Sequence, residues 1–464
     1  MSRYLPKSVA VVGGGVAGMS AATALAEAGF RVRLLERRSY LGGRASSYLH
    51  PGTGEVVDNC QHALFGCCTN LQGFYKRIGV DDQIHWTSGM TMVEPGGRRS
   101  ELGPVNLPAP LHGLPKLMTA HAFSIGDKLA LARAFSAMMR PQAETGESLA
   151  VWLKRHGQTR GALNRFWRLV IASALNAELD QISVPYAAKV IRELFMNSAW
   201  AGVMGMSRVP LSELYTSVPK FLTDRGNAIE FQSHVEAAEW NPTSRQWLLQ
   251  TGIGEFYADY VIAALPFEAM GKLMESMQAA SGVTALKDKI ARHTHWPICS
   301  VHLWFDRPIT DLPHAVLLDR EVHWMYNQSV LQGRPGNYIE LVISATRSFA
   351  ALERKQAIEL ALSELKEFFP IAREAKVEKV ALIKEVRATF GVSPGIDFAR
   401  PAAVDAPWPQ FFLAGDWTAT GWPSTMESAA RSGHLAAEAL CKAEGLNLQW
   451  LEPDFPRQGL MRWL

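Results

Sequence analysis

Residues 9–29, VAVVGGGVAGMSAATALAEAG, decide the fold of the amino-terminal part of this chain. The first four residues form a short, β-branched apolar run, which is typical of a buried parallel strand. The small residues after the glycines predict a helix that ends near Gly29, and FRVRLLE (30–36) predicts the next strand. This strand–turn–helix–strand order predicts a Rossmann-like βαβ unit.

Within this unit, the glycine spacing predicts a dinucleotide site. Gly13 allows the tight turn, Gly15 lets the backbone approach a pyrophosphate, and Gly18 lets the helix pack on the strand. The phosphates are expected at the helix N-terminus. Glu36, at the end of the second strand, can bind a ribose hydroxyl pair, and its charge disfavours a 2′-phosphate. The predicted nucleotide contacts are Gly13, Gly15, Ala17, Gly18, Glu36 and Arg37.

Composition narrows the class of protein. A chain of 464 residues is expected to form two or three domains, and its net charge of +3 gives no case for nucleic acid binding. The five cysteines lack metal-finger spacing and indicate a reducing compartment, and no metal site is predicted. The short start MSRYLPKS predicts no signal peptide, and no apolar run is long enough for a membrane span. We therefore expect a cytoplasmic protein.

Two further stretches resemble the flavin amine oxidase and carotenoid desaturase superfamily. They are ERRSYLGGRASS (36–47) and, near the C-terminus, PQFFLAGDWTATGWPSTMESAARSGHLAAEAL (409–440). The resemblance implies FAD, with Gly43, Arg44, Gly415 and Asp416 at its phosphates and ribityl chain. It also implies that Val235 contacts the adenine, and that the helix start at Thr425 and Met426 faces the flavin ring. Because no cysteine lies between Gly415 and Ser428, we expect the FAD to be non-covalent.

Residues 58–62, DNCQH, resemble the DNGQH pattern of hydroxysqualene dehydroxylases, also called squalene-associated FAD-dependent desaturases. Cys60 stands where that pattern has glycine. IKEVRATFGVSPG (383–395) and the GDWTATG stretch resemble the same family. The resemblance implies reductive removal of the hydroxyl of hydroxysqualene, giving squalene for hopanoid synthesis. His62 is then a candidate acid or orienting group, and Glu385 a second candidate catalytic residue.

Two alternatives remain open from the sequence. A carotenoid-type desaturase would oxidise C–C bonds of a polyprenyl chain with the same cofactor. A non-enzymatic prenyl-binding protein of the same fold, similar to Rab escort proteins, would need no flavin. The intact Arg44, Gly415 and Asp416 favour an enzyme over this second alternative. No second nucleotide motif is present, so the electrons are expected from a separate, unidentified donor.

Two apolar segments with interspersed basic residues predict contact with a membrane surface. The first is residues 102–139, rich in Leu, Pro, Phe and Met, and the second is the tail LQWLEPDFPRQGLMRWL (448–464). A polyprenyl substrate would reach the protein from the bilayer, so we expect peripheral association with the inner face of the cytoplasmic membrane. The alternative for each segment is a helical core or a docked tail.

The predicted fold is α/β, with three interleaved parts. Residues 1–90, 215–295 and 400–464 form a Rossmann-like FAD-binding domain, and residues 91–214 form a helical, apolar subdomain at the membrane interface. Residues 296–399 form a mixed-sheet substrate domain.

Overall fold

The structure is a computed structural model that describes residues 6–463. Residues 1–5, which belong to the start on which the signal-peptide prediction rests, and Leu464 of the tail lie outside the described residues.

The described chain contains runs of strands and runs of helices. The strands are β1 (Ser8–Val12), β2 (Arg31–Leu35), β3 (Ser47–Leu49), β4 (Val56–Asp58), β5 (Leu64–Phe65), β6 (Ile84–Thr87), β7 (Met90–Val93), β8 (Arg99–Leu102), β9 (Met204–Ser207), β10 (Ala228–Glu230), β11 (Val235–Asn241), β12 (Gln246–Thr251), β13 (Gly254–Ala258), β14 (Tyr260–Ala264), β15 (His295–Phe305), β16 (His314–Leu317), β17 (Trp324–Asn327), β18 (Tyr338–Ser344), β19 (Val377–Phe390) and β20 (Phe411–Ala414).

The α-helices are α1 (Val16–Glu27), α2 (Thr69–Ile78), α3 (Leu114–Thr119), α4 (Ile125–Met138), α5 (Leu149–Arg155), α6 (Arg160–Ala162), α7 (Ser173–Leu175), α8 (Val184–Val190), α9 (Leu211–Leu214), α10 (Ser217–Thr223), α11 (Phe267–Leu273), α12 (Val283–Ala291), α13 (Gln328–Leu331), α14 (Arg347–Ala351), α15 (Arg354–Phe368) and α16 (Met426–Ala443). Two π-helical segments, Leu163–Ala172 and Ile191–Met196, continue α6 and α8.

The predicted α/β fold is confirmed by a parallel sheet of five strands in the order β10–β2–β1–β14–β20. Every residue of β1, β14 and β20 is buried, as expected for strands covered on both faces. Helices α1 and α16 pack against each other beside this sheet. A side chain at Gly433 of α16 would collide with the carbonyl oxygen of Ala17, so glycine permits this close approach.

The second large sheet has seven strands in the order β19–β15–β18–β17–β16–β7–β8. It includes β15, β17 and β18, which lie, apart from His295, in the segment 296–399 that the sequence predicted to form a mixed-sheet substrate domain. Residues 99–102, predicted within the helical subdomain, instead form β8, which pairs with β7 in this sheet. The boundary predicted at residues 90 and 91 therefore falls inside a strand of the substrate sheet.

The predicted helical subdomain contains α3 to α9 and the two π-helical segments, and its last strand, β9, pairs with β5 and β6. Helix α4 begins where Ser124 and Asp127 form a reciprocal capping box. Among residues 6–463, no helix is both long and apolar enough to cross a membrane.

Candidate FAD and substrate site

The turn between β1 and α1 is shaped by its glycines. Gly13 has φ +107°, and a Cβ there would lie 2.5 Å from the carbonyl oxygen of Ala264. A Cβ at Gly18 would fall on the carbonyl oxygen of Gly13. Gly15 is the N-cap of α1, and within the described residues no side chain caps this helix. The N–H groups of the first turn, including that of Ala17, are therefore available to phosphate oxygens.

Glu36 lies next to this turn. Its buried carboxylate accepts hydrogen bonds from the N–H of Gly14 and the N–H of Arg38, both at 2.7 Å. Gly43 has φ +62°, and a Cβ there would lie 3.2 Å from Cα of Gly15. The loop that follows β2 therefore closes onto the phosphate turn, as expected for a nucleotide cradle.

The arginines of this loop differ in position. The side chain of Arg37 is exposed, whereas Arg38 donates a hydrogen bond to the carbonyl of Gly43 at 2.8 Å. The predicted contact of Arg37 with the nucleotide stays a prediction. Val235 begins β11, and the N–H of nearby Ser233 donates to the carbonyl of Glu36 at 2.9 Å, so the adenine candidate is close to the ribose candidate.

The two distant FAD motifs meet at an ion pair. Arg44 and Asp416 form a salt bridge, and Arg44 also donates to the carbonyl of Ala388 at 3.0 Å. Burial disfavours the charge of Asp416, but Arg44 and the hydroxyl of Ser424 outweigh it and hold the pKa of Asp416 below its usual value. The side chain of Asp416 is only 6% exposed, while that of Arg44 is 33% exposed and can still contact a ligand.

The helix start expected at the flavin ring is also formed. Gly415 has φ +133° and donates its N–H to Oγ of Ser432 at 2.8 Å. Thr425 is the N-cap of α16 and accepts a hydrogen bond from the N–H of Ser428 at 3.1 Å. Met426 is the first residue of the helix, where the positive end of the helix dipole lies.

Arg400 was not predicted as a site residue, yet it organises the 415–425 loop. The guanidinium donates to the carbonyls of Trp422 at 2.7 Å and Asp416 at 2.9 Å. The residue is 4% exposed, and its guanidinium lies 5.1 Å from the ring centre of Phe390. An arginine directly before a proline, just ahead of an apolar strand, was its only sequence signal.

These features fit FAD. The described chain offers a free helix N-terminus at α1, a ribose carboxylate at Glu36, a partly exposed cation at Arg44 and a second helix start at α16. In the part of the chain that the structure describes, two nearby buried polar atoms also lack partners, namely Oγ of Ser233 and Nε2 of His293, whose ring packs edge-on against Trp417. When bound, FAD would be held by these residues and would supply two-electron chemistry.

Residues 58–62, here called the DNCQH loop, lie between Arg44 and the substrate sheet. Nδ2 of Asn59 donates to Oε2 of Glu385 at 3.1 Å and to the carbonyl of Arg44 at 3.3 Å. The N–H of Gln61 donates to Oε1 of Glu340 at 2.8 Å. Two carboxyl groups of the sheet therefore hold this loop, and Glu385 and His62, predicted from separate motifs, are brought to one place.

His62 is neutral at physiological pH in this setting. Burial lowers the pKa of its imidazole, and the positive charge of Arg44 adds to this effect, although the Cys60 carbonyl and Glu385 act against it. Its Nδ1 lies 2.6 Å from the carbonyl oxygen of Cys60. Of the two roles predicted for His62, this environment favours orienting over proton donation.

Glu340 was not predicted, although a lone glutamate in the apolar strand NYIELVIS was a visible signal. It is fully buried on β18, and its Oε2 accepts a hydrogen bond from Nε2 of Gln328 at 2.6 Å. An apolar cluster packs beside this strand and contains Met204, Met206, Tyr326, Leu331 and Val342, with Phe65 and Trp324 at its margin. The DNCQH loop thus places polar groups against an otherwise apolar wall.

The two predicted membrane segments contact each other. The N–H of Leu460 in the tail donates to the carbonyl of Ala109 at 2.8 Å. Exposed apolar side chains lie on both segments: Leu107, Leu111, Leu114, Met118, Ile125, Leu129, Leu460 and Trp463. Ile125 is 76% exposed and Trp463 is 87% exposed, which is unusual for such large apolar groups. We call these eight residues the apolar face.

Comparisons with known proteins agree with the geometry. The family described as flavin-containing amine oxidoreductase matches residues 16–441. The chain is 24% identical to a probable zeta-carotene desaturase of Synechococcus elongatus, over 94% of this chain and 99% of that protein. It is 25% identical to a zeta-carotene desaturase of Synechocystis, over 93% and 96%. A redesigned putrescine oxidase of solved structure has the same fold, with TM-score 0.73, 16% identity, and coverage of 94% and 99%.

Proposed function

Because this chain belongs to the flavin-containing amine oxidoreductase family and is an FAD-dependent oxidoreductase, we propose that it reductively dehydroxylates hydroxysqualene to squalene. In this reaction the allylic C–O bond breaks, the hydroxyl leaves with a proton as water, and a C–H bond forms at the same carbon. When bound, FAD in its two-electron-reduced form, FADH2, would supply the hydride and the proton, and a separate electron donor would restore the reduced state.

The observation that carries the proposal is the neutral imidazole of His62 next to Ala63, which packs against the apolar cluster. A neutral imidazole that carries its proton on Nδ1 has a lone pair on Nε2, which can accept a hydrogen bond from a substrate hydroxyl. Placing a hydrogen-bonding group in an apolar site favours a ligand with a matching polar group, because an unpaired buried polar atom is costly. A polyprenyl alcohol offers this combination of one hydroxyl and a long apolar chain.

Within this proposal the chain has three tasks. The DNCQH loop orients the hydroxyl, and the apolar cluster around Met204 and Tyr326 excludes water, which would otherwise recapture an allylic cation. The loop is held in place because Asn59 and Gln61 are bonded to Glu385 and Glu340. Glu385 therefore supports the loop, and a direct role in catalysis stays a prediction for it.

The apolar face supports delivery of the substrate from a bilayer. It joins Ile125 and Leu129 of α4 with Leu460 and Trp463 of the tail, and basic residues such as Lys128, Arg133 and Arg462 lie in the same segments. Apolar side chains with nearby cations favour binding at the surface of an anionic membrane. The proposal therefore includes peripheral association with the cytoplasmic face of the membrane.

The deciding experiment is anaerobic incubation of the photoreduced FAD-loaded protein with hydroxysqualene, followed by lipid analysis and flavin absorbance. The proposal expects squalene in an amount equal to the flavin reoxidised. Protein heated or acidified to release its FAD is the matched control and should form no squalene. A reduced, FAD-loaded protein that leaves hydroxysqualene unchanged would refute the proposal.

Desaturation of a polyprenyl chain is the second candidate. A neutral His62 can also accept a proton from carbon, and the relatives named above are called zeta-carotene desaturases. The same preparation, oxidised and supplied with a quinone acceptor, is therefore tested with phytoene and zeta-carotene. New conjugated double bonds there, without squalene formation in the first assay, would favour this candidate.

A further inference from the structure

One peptide group joins two side chains of the site. The carbonyl oxygen of Cys60 lies 2.6 Å from Nδ1 of His62, and the N–H of the same peptide group, on Gln61, lies 2.8 Å from Oε1 of Glu340. A carbonyl oxygen can only accept a hydrogen bond, so Nδ1 of His62 must carry the proton. Two hydrogen bonds therefore connect the imidazole of His62, through this peptide group, to the buried carboxyl group of Glu340.

Hydrogen bonds that are connected in this way strengthen one another. Donation from the Gln61 N–H to Glu340 polarises the peptide group and makes the Cys60 carbonyl a stronger acceptor. A stronger acceptor at Nδ1 favours the tautomer that is protonated there. In water, imidazole side chains favour the other tautomer, so the environment must select this one.

Glu340 is well placed for this task. It lies in the middle of β18, opposite His302 of β15 and Tyr326 of β17. Besides Gln61, it is bonded by Nε2 of Gln328 at 2.6 Å, so both carboxyl oxygens are fixed. The titratable groups that face it are Asp58 and Cys60 from the chain before His62, His302, Tyr326, and Tyr338 of its own strand.

Nε2 lies on the side of the His62 ring away from the Cys60 carbonyl. Arg44 and Glu385 act electrostatically on the ring. The hydrogen bonds within residues 6–463 engage Nδ1 and leave Nε2 for a substrate.

We propose that Glu340 is a positioning residue for His62, which acts through the Cys60–Gln61 peptide group and keeps the imidazole protonated on Nδ1, with Nε2 presented to the substrate. The inference deepens the proposed function and rests on it for the role of His62. The claim about the tautomer, in contrast, can be tested without any substrate.

The test uses FAD-loaded protein labelled with ¹⁵N in its histidines. Nitrogen chemical shifts distinguish the two neutral tautomers, and the His62→Gln variant identifies the signals of His62 by their loss. Wild-type protein at pH 7 is expected to show His62 neutral and protonated on Nδ1. Burial, assisted by Asp58, raises the pKa of Glu340 to about 8, so the His62 signals should also shift as Glu340 ionises near that pH. Asp58 titrates lower, at about 6, and is separable.

Two variants of Glu340 test whether this residue selects the tautomer of His62 and whether its ionisation causes the shift near pH 8. Glu340→Gln keeps an acceptor for the Gln61 N–H but cannot ionise. Its His62 should therefore keep the Nδ1 tautomer and lose the change in nitrogen chemical shift near pH 8. Glu340→Leu removes the acceptor, and the ratio of the Nδ1 to the Nε2 tautomer should fall by about fivefold, as expected for the loss of one ordinary hydrogen bond. Glu364→Gln is the matched control, because Glu364 is a buried glutamate that bonds backbone N–H groups elsewhere, and it should behave as wild type.

Several results would overturn the inference. The first is a wild-type His62 protonated mainly on Nε2, and the second is a folded Glu340→Leu protein with the wild-type tautomer. The third is a change in the His62 chemical shift near pH 8 that persists in Glu340→Gln. If Glu340→Leu does not fold, the Glu340→Gln titration decides. Absence of squalene formation by wild-type protein would refute the proposed function and leave the tautomer result standing, so the two failures are distinguishable.

Discussion

Arg400→Met tests whether one buried arginine shapes the flavin-binding loop. Arg400 donates to the carbonyls of Asp416 and Trp422, and the hydroxyl of Ser428 lies 3.0 Å and 3.4 Å from the same two oxygens. A hydroxyl has one proton and can satisfy only one carbonyl. For the Trp422 carbonyl the hydroxyl of Thr420, at 3.5 Å, is at best a weak donor. The substitution therefore leaves at least one buried carbonyl without a good donor, which costs about 1–3 kcal/mol.

This cost should appear mainly in FAD affinity. Without FAD, the 415–425 loop can relax so that the freed carbonyl finds water, and binding must then reverse this relaxation. A penalty of about 1–3 kcal/mol corresponds to a dissociation constant roughly 5- to 150-fold higher. The assay is titration of the apoprotein with FAD, followed by quenching of flavin fluorescence, with circular dichroism as the check of folding.

Two further variants make the result interpretable. Arg400→Lys keeps the charge but loses the planar fork, so it should bind FAD with intermediate affinity. Arg225→Met, at an exposed arginine after α10, should bind like wild type. The reasoning is refuted if folded Arg400→Met binds FAD within twofold of wild type, or if Arg225→Met is weakened as much.

Three other outcomes are expected. Replacing His62 by Ala should leave the bound FAD unchanged and slow squalene formation by about 100-fold, because the hydroxyl is no longer oriented; an unchanged rate at full flavin content would remove His62 from the mechanism. Changing Leu129 to Glu should weaken co-sedimentation with phosphatidylglycerol vesicles by roughly tenfold or more, whereas Ile253→Glu, at an exposed apolar residue of the β12–β13 turn, should not. Burial raises the pKa of Glu340 from 4.5 to about 8 in the folded protein. Between these two pH values the unfolded chain has already lost this proton while the folded protein keeps it. The free energy of unfolding therefore falls as pH rises from 4.5 to 8, by about 5 kcal/mol. Urea unfolding at pH 5 and pH 8 should therefore show a smaller loss in Glu340→Gln than in wild type, and equal losses would show that Glu340 is not the cause.

The cofactor half of the site could be predicted because its signals are local. Gly13 is favoured by its φ of +107° in the tight turn and Gly18 by its contact with the carbonyl oxygen of Gly13, while Glu36 follows from the length of one helix and one strand. Even the distant residues Arg44 and Asp416 could be predicted, since each belongs to a compact motif with a fixed place relative to a strand. Such requirements act on short stretches of backbone and are therefore visible in the order of residues.

The substrate half was only partly predictable. His62 and Glu385 were picked from separate motifs, but the sequence did not reveal Glu340, 278 positions after His62, as a partner of the same loop. Whether a glutamate in an apolar strand faces a core or a site depends on the pairing of β18 with β15 and β17. The boundary near residue 90 was missed for a related reason, because β7 and β8 join their sheet through a long-range pairing with β16.

The sequence by itself determined the nucleotide fold, the FAD and the residues nearest to its phosphates, because short-range sterics and helix termini dictate these. Tertiary structure decided what surrounds the substrate. It brought the tail into contact with the 102–139 segment at Ala109, and it bonded the DNCQH loop to two carboxyl groups on different strands. Those relations depend on how sheets pair and pack over hundreds of residues, where burial and charge act between groups that no local pattern connects.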